Sequence, residues 1–394
     1  MTASRDSPGA FFRALTCGSA ALLLSVVVDG SASAHRALAA AVLPLLAGAL
    51  IVAVVAHRRL IRPVCATVAL FVLAAAVTAR PWHEVLASLA FAGSCALAAA
   101  SFRGSRVPRG RLADYVTLTK PRIMVLLLVT GACGMILGAH GWPGTWRFLA
   151  AIAGLALACG GASALNHVMD RDIDRLMGPR TAGRPVASGR LTAPRALEFG
   201  LALSACSFTL LAASVNLLTA VLALLGNVFY VVVYTGFLKR RGPQNIVLGG
   251  AAGAVPPLVG YAAATGNLAL PALWLFLIVF LWTPPHFWAL ALLLRDHYEA
   301  ADVPMLPVVR GERVTVRRIF AYTVVLVAFT VAPFAAGSFG WTYLVAALVL
   351  GGVFLALAVR LLRGVDRRSS ALAFHYSLLY LALLFAAVAL DAAL

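Results

Sequence analysis

Long, uninterrupted apolar runs govern what this chain can become. A helix needs about 17 to 25 apolar residues to cross a hydrocarbon layer, and runs of about that length recur thirteen times along the sequence. They lie near 12–29, 37–56, 64–79, 84–102, 124–141, 148–166, 196–214, 216–236, 245–264, 270–294, 318–336, 342–362 and 371–390. Within lipid every backbone N–H and C=O must be paired inside its own segment, which the α-helix achieves. The expected fold class is therefore all-α integral membrane. Only 12% of residues are charged and 62% are hydrophobic, which excludes an ordinary soluble domain.

A net charge of +18 would suggest nucleic acid in a soluble chain. Here the positions of the charges explain it better. If Met1 is cytoplasmic and the thirteen segments alternate, every Lys and Arg except Arg36, Arg80 and Arg147 falls on the cytoplasmic side, as the positive-inside rule requires. The six cysteines sit in or beside apolar runs without CxxC or His-Cys spacing, so they read as small packing residues.

The basic stretch FRGSRVPRGRLADY, 102–115, divides a front part of about four segments, 1–110, from a nine-segment remainder, 111–394. The front part carries no acid pair or phosphate loop, and its His35, His57 and His83 fall at loop edges. Its first segment also reads as a cleavable signal ending in an A-x-A-like pattern, Ala32 to Ala34.

In the remainder, seven of the fourteen acids lie in two loops on the same, cytoplasmic, side. The first begins NHVMDRDIDR, 166–175. On a helix, residues four apart are offset by only about 40°, so Asn166, Asp170 and Asp174 share one face, while Asp172 is turned by about 200° from Asp170, toward Arg175 or solvent. Closely spaced oxygen ligands suit Mg²⁺, and the continuation RLMGPRTAGRPVASGR adds Arg175, Arg180, Arg184 and Arg190 as phosphate grips. The competing reading is a solvated helix laced by Arg171–Asp174 and Asp172–Arg175 pairs.

The second loop, LLLRDHYEAADVPMLPVVRGER at 292–313, supplies Asp296, His297, Tyr298, Glu299 and Asp302 beside Arg295, Arg310 and Arg313. Two acidic loops on one side could hold two Mg²⁺ ions on one diphosphate. Deeper in the remainder, GGAAGAVPPLVGY and LWTPPHFW combine small residues with Pro256, Pro257, Pro284 and Pro285, where broken backbone hydrogen bonds would open an apolar chamber. His286 in the second stretch, and more weakly His375, are intramembrane ionisable groups and so candidate ligand contacts.

These residues resemble the UbiA-type membrane prenyltransferases. NHVMDRDID is similar to the superfamily's NxxxDxxxD motif, and RTAGRPVASGRL to the segment that follows it. DYVTLTKPRIMVLLLVTGACGM at 114–135, YTGFLKRRGPQNIVLGGAAGAVPPLVGYAA at 234–263, TPPHFWALAL at 283–292 and YEAADVPMLPVV at 298–309 resemble the haem-modifying branch rather than the aromatic-ring branches. The resemblance implies a nine-helix bundle, preceded here by about four extra helices. It also implies transfer of a farnesyl group from farnesyl diphosphate to the 2-vinyl group of haem B, with water addition, giving haem O and diphosphate.

It further implies Mg²⁺ on Asn166, Asp170 and Asp174, with Asp296 for a second ion, and these four as the catalytic set. Lys120, Arg122, Arg180, Arg184, Lys239, Arg240, His286 and Tyr298 become substrate-binding candidates. The second loop departs from the pattern, because His297 replaces a carboxylate and Asp302 stands where a small residue is common. The implied setting is the bacterial inner membrane, with haem A synthase or cytochrome oxidase assembly factors as partners. A quinone precursor as acceptor, or a transporter with a cation gate, are the rival readings; the latter would favour carboxylates at mid-membrane on broken helices.

Overall fold

The computed structural model describes residues 64–69 and 112–394. The other residues of the four front segments, and the signal-like pattern at Ala32 to Ala34, lie outside the described residues. Among these, nine helices are long and apolar enough to span a bilayer: α1 Pro121–Ala139, α2 Thr145–Met169, α3 Ala193–Ser214, α4 Leu217–Arg240, α5 Asn245–Thr265, α6 Leu270–Leu293, α7 Gly311–Ala335, α8 Trp341–Arg363 and α9 Arg367–Ala393. Each coincides with an expected apolar run. The largest difference is at α7, whose helix begins at Gly311, because polar residues that extend beyond the lipid still propagate a helix already nucleated.

Where the helices start and stop follows local chemistry. Pro121 opens α1, where its missing N–H costs nothing. The Asn216 side chain caps the start of α4 by accepting from Thr219 N at 2.8 Å, and Asp366 does the same for α9 through Ser369 N at 2.8 Å. The nine helices alternate in direction, so the segments 170–192, 241–244, 294–310 and 364–366 gather at one end, with the short helix Leu112–Leu118 leading into α1 there.

The half of the bundle away from those loops is solid. Leu137 of α1, Tyr261 of α5, Leu275 and Trp282 of α6, Phe354 of α8 and Tyr380 and Phe385 of α9 belong to one buried cluster. The proline pairs do not break their helices: α5 and α6 run through Pro256–Pro257 and Pro284–Pro285 without interruption. Instead the α5 pair lies against α1, where a Cβ on Gly131, Gly134 or Gly260 would meet the neighbouring helix's backbone. Small residues let these two helices touch backbone to backbone, so Pro256 and Pro257 mark close packing rather than an opening. Large apolar side chains such as Leu225, Val232, Leu348 and Val349 project outward, as a lipid-facing surface requires.

Candidate functional site

The loop end of α2 carries the first acidic motif. The helix turns at Asp170 (φ −91°, ψ 6°) into the short helix Arg171–Leu176, but the i→i+4 bonds continue, with Asp170 N donating to Asn166 O at 2.9 Å and Asp174 N to Asp170 O at 2.8 Å. Phase is therefore preserved. Asn166, Asp170 and Asp174 are all buried, and Asp172 is exposed.

Burying two carboxylates is costly unless cations and hydrogen bonds compensate them. Two cations meet the carboxylates directly, Lys239 from the end of α4 and Arg184 from the same loop, and Lys120 joins them through Asn166. Lys239 Nζ donates to Asp170 Oδ2 at 2.5 Å, Arg184 Nη1 to Asp174 Oδ1 at 2.6 Å, and Lys120 Nζ to Asn166 Oδ1 at 2.8 Å. Asn166 Nδ2 links the group by donating to Asp170 Oδ2 at 2.7 Å and to Thr235 Oγ1 at 3.1 Å.

Local backbone choices make this possible. Lys120 adopts the left-handed conformation (φ 50°, ψ 59°) just before Pro121, an unusual state for a long side chain. The end of α4 is wound as a π-helix over Phe229–Phe237 and a 3₁₀ turn over Leu238–Arg240, with Thr235 donating to Tyr230 O at 2.9 Å. π-Turns shift side-chain phase and recur at functional sites. Here the winding puts Thr235, Lys239 and Arg240 all on the α2 side.

The two local ion pairs that a solvated helix would have used are not formed. Asp172 is held instead by Arg240 in a two-pronged contact, 2.7 and 2.8 Å, while Arg240 also donates to Met169 O. Arg175 donates to Ala187 O at 2.9 Å. Hydrogen bonds from Arg240 hold the Asp172 carboxyl well below the usual range. For Asp174 the direction is opposite, since burial pushes its carboxyl up and Arg184 only partly offsets the rise. Lys120 is drawn down to about 7 by burial, with the Arg184 and Lys239 cations adding to the effect.

Asp170 Oδ1 and Asp174 Oδ2 are buried without a hydrogen-bond partner. Two orphaned carboxylate oxygens, one helical turn apart, fit a hard divalent cation better than any further protein donor in reach. Asn166 contributes less openly, because Lys120 already engages its carbonyl oxygen.

The second acidic loop is built differently. Tyr298 is buried in an apolar cluster with Ile173, Met177, Ile246 and Met305, which clamps the two loops together. Its hydroxyl is pushed up to about 12 by burial, opposed by Arg184 and reinforced by Asp170. The His297 ring lies where a Cβ on Gly178 would go, a second point of contact between the loops. Asp296, by contrast, is exposed, as are Glu299 and Asp302. Asp302 lines a small cleft with Asp172 and Arg240. Among the described residues no group of three His, Cys, Asp or Glu is gathered as a metal site, so Asp296 does not join Asp170 and Asp174. Arg122 and Arg180 are likewise exposed at this end.

His286 is buried in α6, stacked on Trp282 (ring centroids 4.2 Å) and on Phe374 (5.0 Å) of α9. It lies seven residues before the end of α6, and so about 10 Å below the loop end. His375 is exposed, with Nδ1 2.7 Å from Ala371 O. Thr235 was not foreseen, since its role depends on the π winding, which leaves no mark on an apolar run.

The model of the UbiA prenyltransferase family matches residues 127–386. The chain belongs to the UbiA prenyltransferase family. Curated UbiA-type relatives named protoheme IX farnesyltransferase include one from Thermus thermophilus, 50% identical over 280 residues, which are 71% of this chain and 46% of that one. Another, from Gloeobacter violaceus, is 50% identical over 288 residues, covering 72% of this chain and 94% of that one. This chain thus spans about half the length of the Thermus relative and nearly all of the Gloeobacter one. Among solved UbiA-fold structures, a digeranylgeranylglyceryl phosphate synthase superposes with a TM-score of 0.60 at 18% identity, covering 72% of this chain and 98% of that one. A UbiA homologue from Archaeoglobus fulgidus bound to DMAPP and Mg²⁺ superposes at 0.53 and 16% identity, covering 70% and 99%. These likenesses establish the nine-helix fold.

Proposed function

We propose that this chain transfers a farnesyl group from farnesyl diphosphate to the 2-vinyl group of haem B, with water addition, yielding haem O and diphosphate. The observation that carries the first half is the pair of orphaned carboxylate oxygens on Asp170 and Asp174, ringed by Lys120, Arg184 and Lys239. The acceptor follows from the half-identical relatives named for haem farnesylation.

Asp170 and Asp174, with Asn166, would hold Mg²⁺, and Asp296 on the facing loop would serve a second ion. Bound there, Mg²⁺ neutralises the diphosphate so that it can leave as an anion. The chain's own part is electrostatic and positional. Lys120, Lys239 and Arg184 stand ready to exchange their carboxylate and amide partners for phosphate oxygens, stabilising charge that grows as the allylic C–O bond breaks. Arg122 and Arg180, exposed at the same end, draw the diphosphate in, and Arg240 keeps Asp172 out of the metal's way. Tyr298 supports the wall between the loops and offers its hydroxyl to a phosphate oxygen. The apolar interior below, with His286 toward the porphyrin, keeps water from the allylic cation until the vinyl carbon has attacked.

In this reading the chain sits in a bacterial inner membrane with its loop end toward the cytoplasm, an orientation that the basic residues at that end support. Haem A synthase or oxidase assembly factors are the natural recipients of the product. Incubating membranes with farnesyl diphosphate, Mg²⁺ and either haem B or 4-hydroxybenzoate tests the reading. Haem O alone is expected. Prenylated benzoate would replace the acceptor, and no diphosphate release in either mixture would remove enzyme function altogether.

A further inference from the structure

Ser377 of α9 is fully buried, and two contacts of its hydroxyl determine what His286 can do. Ser377 Oγ lies 2.7 Å from His286 Nδ1 and 2.6 Å from the carbonyl oxygen of Phe374 in its own helix. A serine hydroxyl has a single hydrogen, and a carbonyl oxygen can only accept. That hydrogen therefore goes to Phe374 O. Ser377 Oγ is left as the acceptor toward His286, so Nδ1 carries a proton. In the neutral ring the electron pair then resides on Nε2.

Nε2 has no hydrogen-bond partner among the described residues, yet it is not one of the buried polar atoms sealed in without one. It borders accessible space. The ring is also held in orientation. It stacks on Trp282 at an interplanar angle of 16° and on Phe374 at 25°, with Phe287 edge-on. Trp282 Nε1 in turn donates to the Ser377 carbonyl at 2.8 Å, which ties α6 to α9 at the same level. No carboxylate or cation takes part in these contacts. A histidine whose far nitrogen is fixed by a hydrogen bond, leaving the other with a free electron pair, has the arrangement of a metal ligand with its supporting partner.

We propose that Ser377 is a positioning residue for the acceptor: it holds His286 as the Nδ1–H tautomer and so presents Nε2 as an axial electron-pair donor to the porphyrin iron. This rests on the haem reading above. It adds how the acceptor is gripped about 10 Å below the loop end, leaving the iron's ligation to α6 with its support from α9, and the phosphate contacts to the loops.

The test uses the full chain in lipid nanodiscs with ¹⁵N-histidine. In the free protein the histidine signal that disappears in His286→Asn should report Nδ1–H and unprotonated Nε2. Haem B titration, followed by the Soret band, should show a shift that His286→Ala loses and added imidazole restores. Ser377→Ala should weaken haem B binding by about tenfold and alter the Soret position, the usual scale for losing a ligand's supporting partner, with farnesyl diphosphate binding unchanged within about twofold. A wild-type Nε2–H tautomer, a Ser377→Ala protein with normal haem affinity and spectrum, or equal losses of haem and farnesyl diphosphate binding would each overturn the proposal. In the second case haem still binds and the haem reading stands. A wild-type chain that binds no haem while prenylating another acceptor would sink both.

Discussion

The two acidic loops have similar compositions and opposite construction. In the first, Asp170 and Asp174 are buried and each is met by a cation, Asp170 by Lys239 from the end of α4 and Asp174 by Arg184 from later in the same loop. In the second, Asp296, Glu299 and Asp302 are exposed, and what is buried is Tyr298. A run of acids by itself therefore says little about where the chemistry lies. The informative property is a carboxylate whose burial has been compensated on one oxygen and left open on the other.

The largest effect expected from this contrast is at the buried pair. Asp170→Asn and Asp174→Asn should each lower kcat/KM by roughly 10²- to 10³-fold, the scale for losing a principal charge-stabilising group; loss from Asp172→Asn on the same scale would break the one-face arrangement. Next comes Lys239→Met, which strands Asp170 in a buried site. It should cost about 3 kcal/mol of stability, read as a fall in Tm of the metal-free protein, with added Mg²⁺ recovering part of it.

Asp296→Asn sharpens the comparison most directly. A loss of about tenfold, the scale for an outer participant in metal binding, is expected. A loss equal to that of Asp170→Asn would show that the second loop folds inward when substrate binds. Smaller still is a pH effect: metal-free prenyl diphosphate affinity should decline as pH rises through about 7, because Lys120 sheds the proton that attracts the anion. Lys120→Arg should flatten that decline. Least of all, Asp172→Asn should change turnover by less than about fivefold, since an exposed ion pair is worth at most about 1 kcal/mol.

Much of this was legible in the residues. The nine spans beyond 112 coincide with apolar runs, and the spacing of Asn166, Asp170 and Asp174 predicts a common face that survives the turn at Asp170. The partners were not. Asp172 reaches Arg240 rather than Arg175, because a neighbouring helix end offers a better-aligned guanidinium than the adjacent turn. Pro256 and Pro257 lie at a close helix contact and not at a break, because α1 presents glycines there.

By itself, then, the sequence determined the membrane-spanning architecture, the end that gathers the charges and the phase of the first motif. These depend on composition and on a fixed helical period, both local along the chain. Only the tertiary structure decided which acids are buried, that Lys239 meets Asp170 from the π-wound end of α4 while Lys120 reaches Asn166, and how a serine far along the chain in α9 sets the proton on His286. Those outcomes rest on desolvation and hydrogen-bond direction, which exist only once segments remote in sequence have been brought within about 3 Å of one another.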